Sequence, residues 1–127
     1  MWRERAYTIL RVDAIFDLAF GVILLAAPVE SLYEALDMPR TEPEFYMQLA
    51  GGLLIVFAYL LWEASTRHDL ARYVARAAGL ANLAGFGLII AWLVAGGLGI
   101  GLLGGVLLGV VALTLAVFAV FEIGYLA

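Results

Sequence analysis

Four stretches, each long enough and apolar enough to cross a lipid bilayer, constrain this chain more than any other feature. A spanning helix needs about 20 mostly apolar residues, because the hydrocarbon is about 30 Å thick and each helical residue rises about 1.5 Å. The stretches run from about Tyr7 to Ala27, Phe45 to Trp62, Tyr73 to Val94 and Leu102 to Ile123. They take up most of the 127 residues, so hydrophobic side chains reach 65% and charged ones only 14%. A soluble domain has about 45–50% and about 25%, and so small a core cannot bury the excess. The expected fold is a single all-α domain, an integral membrane four-helix bundle. Helices are required because backbone N–H and C=O groups in lipid must pair within their own segment, and the runs lack the alternation of a barrel. The connector Ala95 to Gly101 is glycine-rich and uncharged, so length alone sets the boundary between the third and fourth spans.

Arginine placement gives an orientation. Arg3, Arg5 and Arg11 flank the first span, and Arg67, Arg72 and Arg76 occupy the connection from the second to the third. The first loop has one arginine, Arg40, against Glu30, Glu34, Asp37, Glu42 and Glu44, and these sum to the formal net charge of −4. The positive-inside rule then puts both termini and the middle loop on the cytoplasmic side of a bacterial or archaeal inner membrane. Trp2, Tyr7, Trp62, Tyr73 and Tyr125 fall at the inner interface, and Tyr33, Phe45, Tyr46 and Trp92 at the outer one. The first span contains Arg11, Asp13 and Asp17 and reads as a retained helix rather than a cleaved leader. In the first loop Ser31-Leu32-Tyr33-Glu34 has the form of a capping box before a short surface helix over about Leu32 to Asp37. Thr41-Glu42-Pro43-Glu44 has the same form ahead of the second span.

The chain carries traces of an internal repeat. A shift of 65 positions lays Arg11 on Arg76, Asp17 on Asn82, Leu18 on Leu83 and Ala19 on Ala84, and a different shift lays Gly51-Gly52-Leu53-Leu54 on Gly104-Gly105-Val106-Leu107. The implied arrangement is two helical hairpins of like orientation, a parallel 2+2 bundle. Small residues form two lines. Gly97, Gly101, Gly105 and Gly109 recur every fourth position, provided the last helix begins before Gly97. Ala71, Ala75 and Gly79, then Gly87, Ala91 and Ala95, form the other, interrupted by Leu83. In lipid, close backbone approach at small residues drives helix association, so both lines are expected to seat helices against one another or against a second copy.

Ionisable groups within the spans supply what chemistry there is. A carboxylate at mid-helix costs about 2.5–3.5 kcal/mol on the insertion scale. Asp13 and Asp17 are four residues apart and share a face, so each needs a partner, water or a function. Arg76 in the third span is the expected partner, with Asn82 deeper, and Arg11 is expected to meet Glu63 or Glu122 at the inner ends of the second and fourth spans. Two readings stay open. Asp13, Asp17, Arg76, Asn82 and Arg11 either fix helix order as a buried polar network or line a cavity that binds a polar ligand, a proton or a cation. Enzymatic activity is not expected. The chain has no cysteine and a single His68, which lies in the polar turn Thr66-Arg67-His68-Asp69, and no base is placed to activate Ser31, Ser65 or Thr66. No cofactor and no metal are called for, and with no lysine present nucleic acid is not an expected partner.

The run Arg11-Val12-Asp13-Ala14-Ile15-Phe16-Asp17-Leu18-Ala19-Phe20-Gly21, with Pro28 six residues after Val22, resembles the first helix of small bacterial four-span membrane proteins related to the DoxX-like group. The stretch Glu44 to Leu54 and the arginine-bearing turn after it extend the likeness over about the first 95 residues. The resemblance implies the four-span architecture. DoxX itself is associated with thiosulfate and quinone oxidation in a larger assembly, but without cysteine or haem-ligating histidines this chain fits such an assembly only as a non-catalytic subunit. The leading expectation is therefore a structural or accessory membrane subunit that packs against itself or a larger membrane complex and binds membrane lipid or quinone. The alternative is a small transporter or channel that moves protons, cations or a small polar solute by way of its intramembrane carboxylates.

Overall fold

Helical hydrogen bonding continues past the apolar stretches into residues that would meet headgroups and water. The structure, a computed structural model, describes residues 2–26, 34–35, 37, 45–96 and 99–126. It consists of helices α1 (Trp2–Leu25), α2 (Phe45–Ala64), α3 (His68–Ala95) and α4 (Leu102–Leu126), with no strand among the described residues. The helix α3 starts five residues ahead of its apolar stretch, with Asp69 in its first turn where the helix dipole favours an anion. It ends at Gly96, whose φ of 71° is a left-handed cap that only glycine adopts at no steric cost, and whose N–H bonds to the Trp92 carbonyl. Glu34 and Ala35 are helical and Asp37 forms a turn. The other residues of the expected surface helix, those of the capping boxes before Glu34 and before Phe45, Pro28 and Gly97 lie outside the described residues.

The helices pack as two hairpins. The extensive contacts are α1 with α2 and α3 with α4, while α1 with α4 and α2 with α3 touch less, and equally. Burial repeats with the same symmetry. Five buried residues of α1, Ala6, Leu10, Asp13, Ala14 and Asp17, each stand 65 positions before a buried residue of α3, namely Ala71, Ala75, Ala78, Gly79 and Asn82, while Gly21 stands before half-buried Phe86. For α2 and the residue after it against α4 the interval is 57: Met47 matches Gly104, Gly51 matches Leu108, Leu61 matches Phe118 and Ser65 matches Glu122, all buried, while buried Ala58 and Ala64 fall on half-buried Leu115 and Phe121. This register corrects the sequence pairing of Gly51 with Gly104, because burial selects the match and a shared Gly-Gly does not.

The outer surface is greasy. Val12, Ile15, Leu18 and Val22 on α1, Leu53 and Val56 on α2, Leu80 and Leu88 on α3, and Val106, Val110 and Leu113 on α4 are all exposed. Continuous apolar exposure on this scale is what a lipid-facing surface looks like, not a soluble one. Three helices, α2, α3 and α4, are long and apolar enough to cross a membrane, consistent with a multi-pass membrane protein. The helix α1 has the length, but Arg11, Asp13 and Asp17 interrupt its apolar run.

Small residues do seat the bundle, though mostly not those that stand out in the sequence. A Cβ on Gly51 would lie 2.6 Å from the Gly21 carbonyl oxygen, and one on Gly21 would lie 2.8 Å from that of Gly51, so α1 and α2 touch backbone to backbone there. A Cβ on Gly79 would lie 2.5 Å from Ile123 Cγ1, which confirms close packing of α3 on α4 at that position. Gly87, Gly105 and Gly109 face open space. The four-residue glycine line is broken because α4 begins at Leu102, after Gly99 has turned the chain with a φ of 64°, which leaves Gly101 outside the helix. Gly101 and Gly104 instead lie against Asp37, whose carboxylate accepts the Gly104 N–H at 3.4 Å and so places an anion at the N-terminus of α4.

Candidate functional site

The inward stripe of α1, Leu10, Asp13, Ala14, Asp17 and Gly21, has helical spacing, and it carries both carboxyls to the bundle axis. Asp13 is fully buried and Asp17 is 4% exposed. Asn82 arrives from α3, across the bundle, and Glu122, also fully buried, from α4. The Asn82 amide nitrogen donates one hydrogen to Asp13 Oδ2 and one to Glu122 Oε2, both at 2.9 Å. One amide therefore ties three helices together. With both hydrogens committed, the amide has only an acceptor left to offer. No donor among the described residues reaches Asp13 Oδ1 or Glu122 Oε1.

A cavity of about 210 Å³ opens beside this cluster and is walled by all four helices. Phe16, Asp17 and Phe20 come from α1, Leu54 and Phe57 from α2, Asn82, Gly85 and Ile89 from α3, and Val111 and Leu115 from α4. The Phe16 ring is held by stacking on Phe20 at 5.6 Å and by the edge of Phe118 at 5.7 Å. Asp17 has no hydrogen-bond donor among the described residues, so its carboxyl is the polar end of an otherwise apolar chamber. At the other end of the cluster Leu10 and Leu61, both fully buried, pack with Ala14, Ala64, Ala71, Ala75 and Ala78 into a buried apolar layer. A larger concavity of about 340 Å³ lies between the outer faces of α1 and α2, but Ala14, Ile15, Leu18, Ile55, Ala58, Tyr59 and Trp62 give it no acid and no amide.

The structure thus brings together three of the five expected site residues, Asp13, Asp17 and Asn82. The arginines stand apart. Arg76 is exposed, because six residues separate it from Asn82 and turn it about 240° around α3. Arg76 is the partner expected for the two acids, and Asp13 Oδ2 accepts from Asn82. Arg11 meets neither Glu63 nor Glu122: its Nε donates to Ser65 Oγ at 3.3 Å and its guanidinium lies over the Trp62 ring at 5.9 Å. His68, exposed as expected, is hydrogen-bonded through Nδ1 to the Tyr7 hydroxyl, which links the first turn of α3 to α1.

Glu122 is the site residue that sequence reasoning missed. By apolar length it falls at the inner end of its span, where the sequence pairs it with Arg11. The usable signal was depth: counted from Tyr7, Asp13 is only ~9 Å along its helix, level with an acid close to the end of the antiparallel α4. Among the described residues, no three His, Cys, Asp or Glu side chains converge in a way that could hold a metal ion. The arrangement can neutralise a cation and accept or release a proton. Comparison with known protein families, with curated proteins and with solved structures gives no match for this chain, so its geometry is the ground on which function is argued.

Proposed function

We propose that this protein is a small inner-membrane carrier of four spans, with both termini cytoplasmic, that binds a proton or a small cationic solute at Asp17 inside its bundle. Asp17 carries the reading. It is a carboxyl all but removed from solvent, without a donor among the described residues, at the wall of a cavity. Asp13, Asn82 and Glu122 already supply a tie between three helices at the same level. Asp17 adds nothing to that tie, which supports a role toward something that enters the chamber. The acidic first loop, with five carboxylates against Arg40, would raise the local concentration of cations at the outer face. No catalytic step belongs to this reading.

A second reading, the accessory subunit that binds lipid or quinone within a homo-oligomer or larger complex, draws support from Gly87, Gly105 and Gly109, which offer small-residue faces to whatever lies outside the bundle. Flux in liposomes separates the two. The carrier reading predicts proton or cation movement by the purified protein that is abolished in Asp17→Asn while unfolding is little changed. An Asp17→Asn protein that merely unfolds at lower temperature, from a parent that moves nothing, would leave the accessory reading standing alone.

A further inference from the structure

Resting on that reading of Asp17, we propose that the solute is a small organic ammonium ion bearing alkyl groups rather than a bare metal cation. The walls of the chamber decide the point. A hard cation such as Mg²⁺ or Ca²⁺ needs six or more oxygen ligands, and the cavity offers the Asp17 carboxyl and what acceptor Asn82 retains. Stripped of its water there, a metal ion would be left with most of its coordination sphere empty against hydrocarbon, at a cost that one carboxylate does not repay. An alkylammonium ion has different needs. Its charge is spread beneath methyl groups, it requires one counter-charge, and its apolar shell is stabilised by the faces of aromatic rings. Phe16, Phe20 and Phe57 stand around the same cavity as Asp17. Cation–π attraction is stronger where the ion is partly desolvated, as it would be between these mostly apolar walls. Size agrees, since about 210 Å³ falls below the roughly 300–1,000 Å³ typical of drug-sized ligands.

Tetramethylammonium is the test probe, added as chloride to the purified full chain in detergent, with NaCl and KCl at matched ionic strength as controls. The expected result is a concentration-dependent rise in unfolding temperature with tetramethylammonium and none beyond the salt effect with Na⁺ or K⁺. Asp17→Asn should abolish the rise, Phe57→Leu should weaken the apparent affinity by about fivefold, and Phe57→Tyr, which keeps the ring face, should restore it. Equal stabilisation by Na⁺ or K⁺, or an undiminished response in Phe57→Leu, overturns the ammonium proposal. Failure of the two claims is distinguishable: Asp17-dependent proton or Na⁺ flux in liposomes with no response to tetramethylammonium removes the ammonium ion and keeps the carrier. Tetramethylammonium binding with no flux of any ion removes the carrier and keeps the site.

Discussion

Asn82 is the residue on which the interior depends. Its amide is the donor for two buried carboxyls on two other helices, and a buried acceptor stripped of its donor costs about 1–3 kcal/mol. Asn82→Leu should therefore lower stability by about 2–5 kcal/mol in denaturant unfolding in detergent, whereas Asp17→Asn, which breaks no hydrogen bond to a described residue, should cost under about 1 kcal/mol. The contrast checks the division of labour between tie and site. Asp13, Asp17 and Asn82 were legible in the sequence because polar groups at mid-helix are too costly in lipid to be incidental. The arginines misled because attraction between opposite charges was given precedence over rotation about the helix: Arg76 has the right depth and the wrong face. Glu122 was hidden because α1 runs past its apolar stretch to Trp2, so that helix ends are a poor guide to relative depth.

At the scale of elements, the backbone contact between α1 and α2 makes a sharp prediction. Gly51→Ala puts a methyl group against the Gly21 carbonyl, a backbone group that cannot swing aside, and should destabilise by about 1–3 kcal/mol. Gly105→Ala points into open space and should be neutral or raise helix stability by up to about 1 kcal/mol, both read by thermal unfolding of the detergent-solubilised protein. The cap on α4 is a second such element. Asp37→Ala removes the acceptor for the Gly104 N–H and the anion at the helix start, and should cost about 0.5–2 kcal/mol, with Asp37→Asn intermediate because it keeps an acceptor and loses the charge. Four helices could be read from apolar length alone. Which glycines face inward could not, because a repeat of four places residues on one line without saying which way the line points, and the positive-φ turn at Gly99 that starts α4 late leaves no mark in hydropathy.

As a whole molecule the protein is two similar hairpins that differ in what they bring to the axis. Where α1 places Asp13 and Asp17, α3 places Ala78 and Asn82, and where Ser65 follows α2, α4 carries Glu122. The acids are thus distributed unevenly over a nearly symmetric frame, and the chamber opens on one side of them while the Leu10 and Leu61 layer closes the other. A carrier needs that layer to part in a second conformation, and Leu61→Ala should favour it, raising any leak while reducing stability by about 2–5 kcal/mol. The claim beneath all of this is that a small cation can reach Asp17 from outside the bundle. The chain has no cysteine, so Asp17→Cys and Leu18→Cys give clean single thiols, one at the chamber wall and one on the exposed face of α1. In proteoliposomes treated with a small cationic methanethiosulfonate, Asp17→Cys should be modified and the lipid-facing Leu18→Cys should not. An inert Asp17→Cys, or equal labelling of the two, would contradict the account.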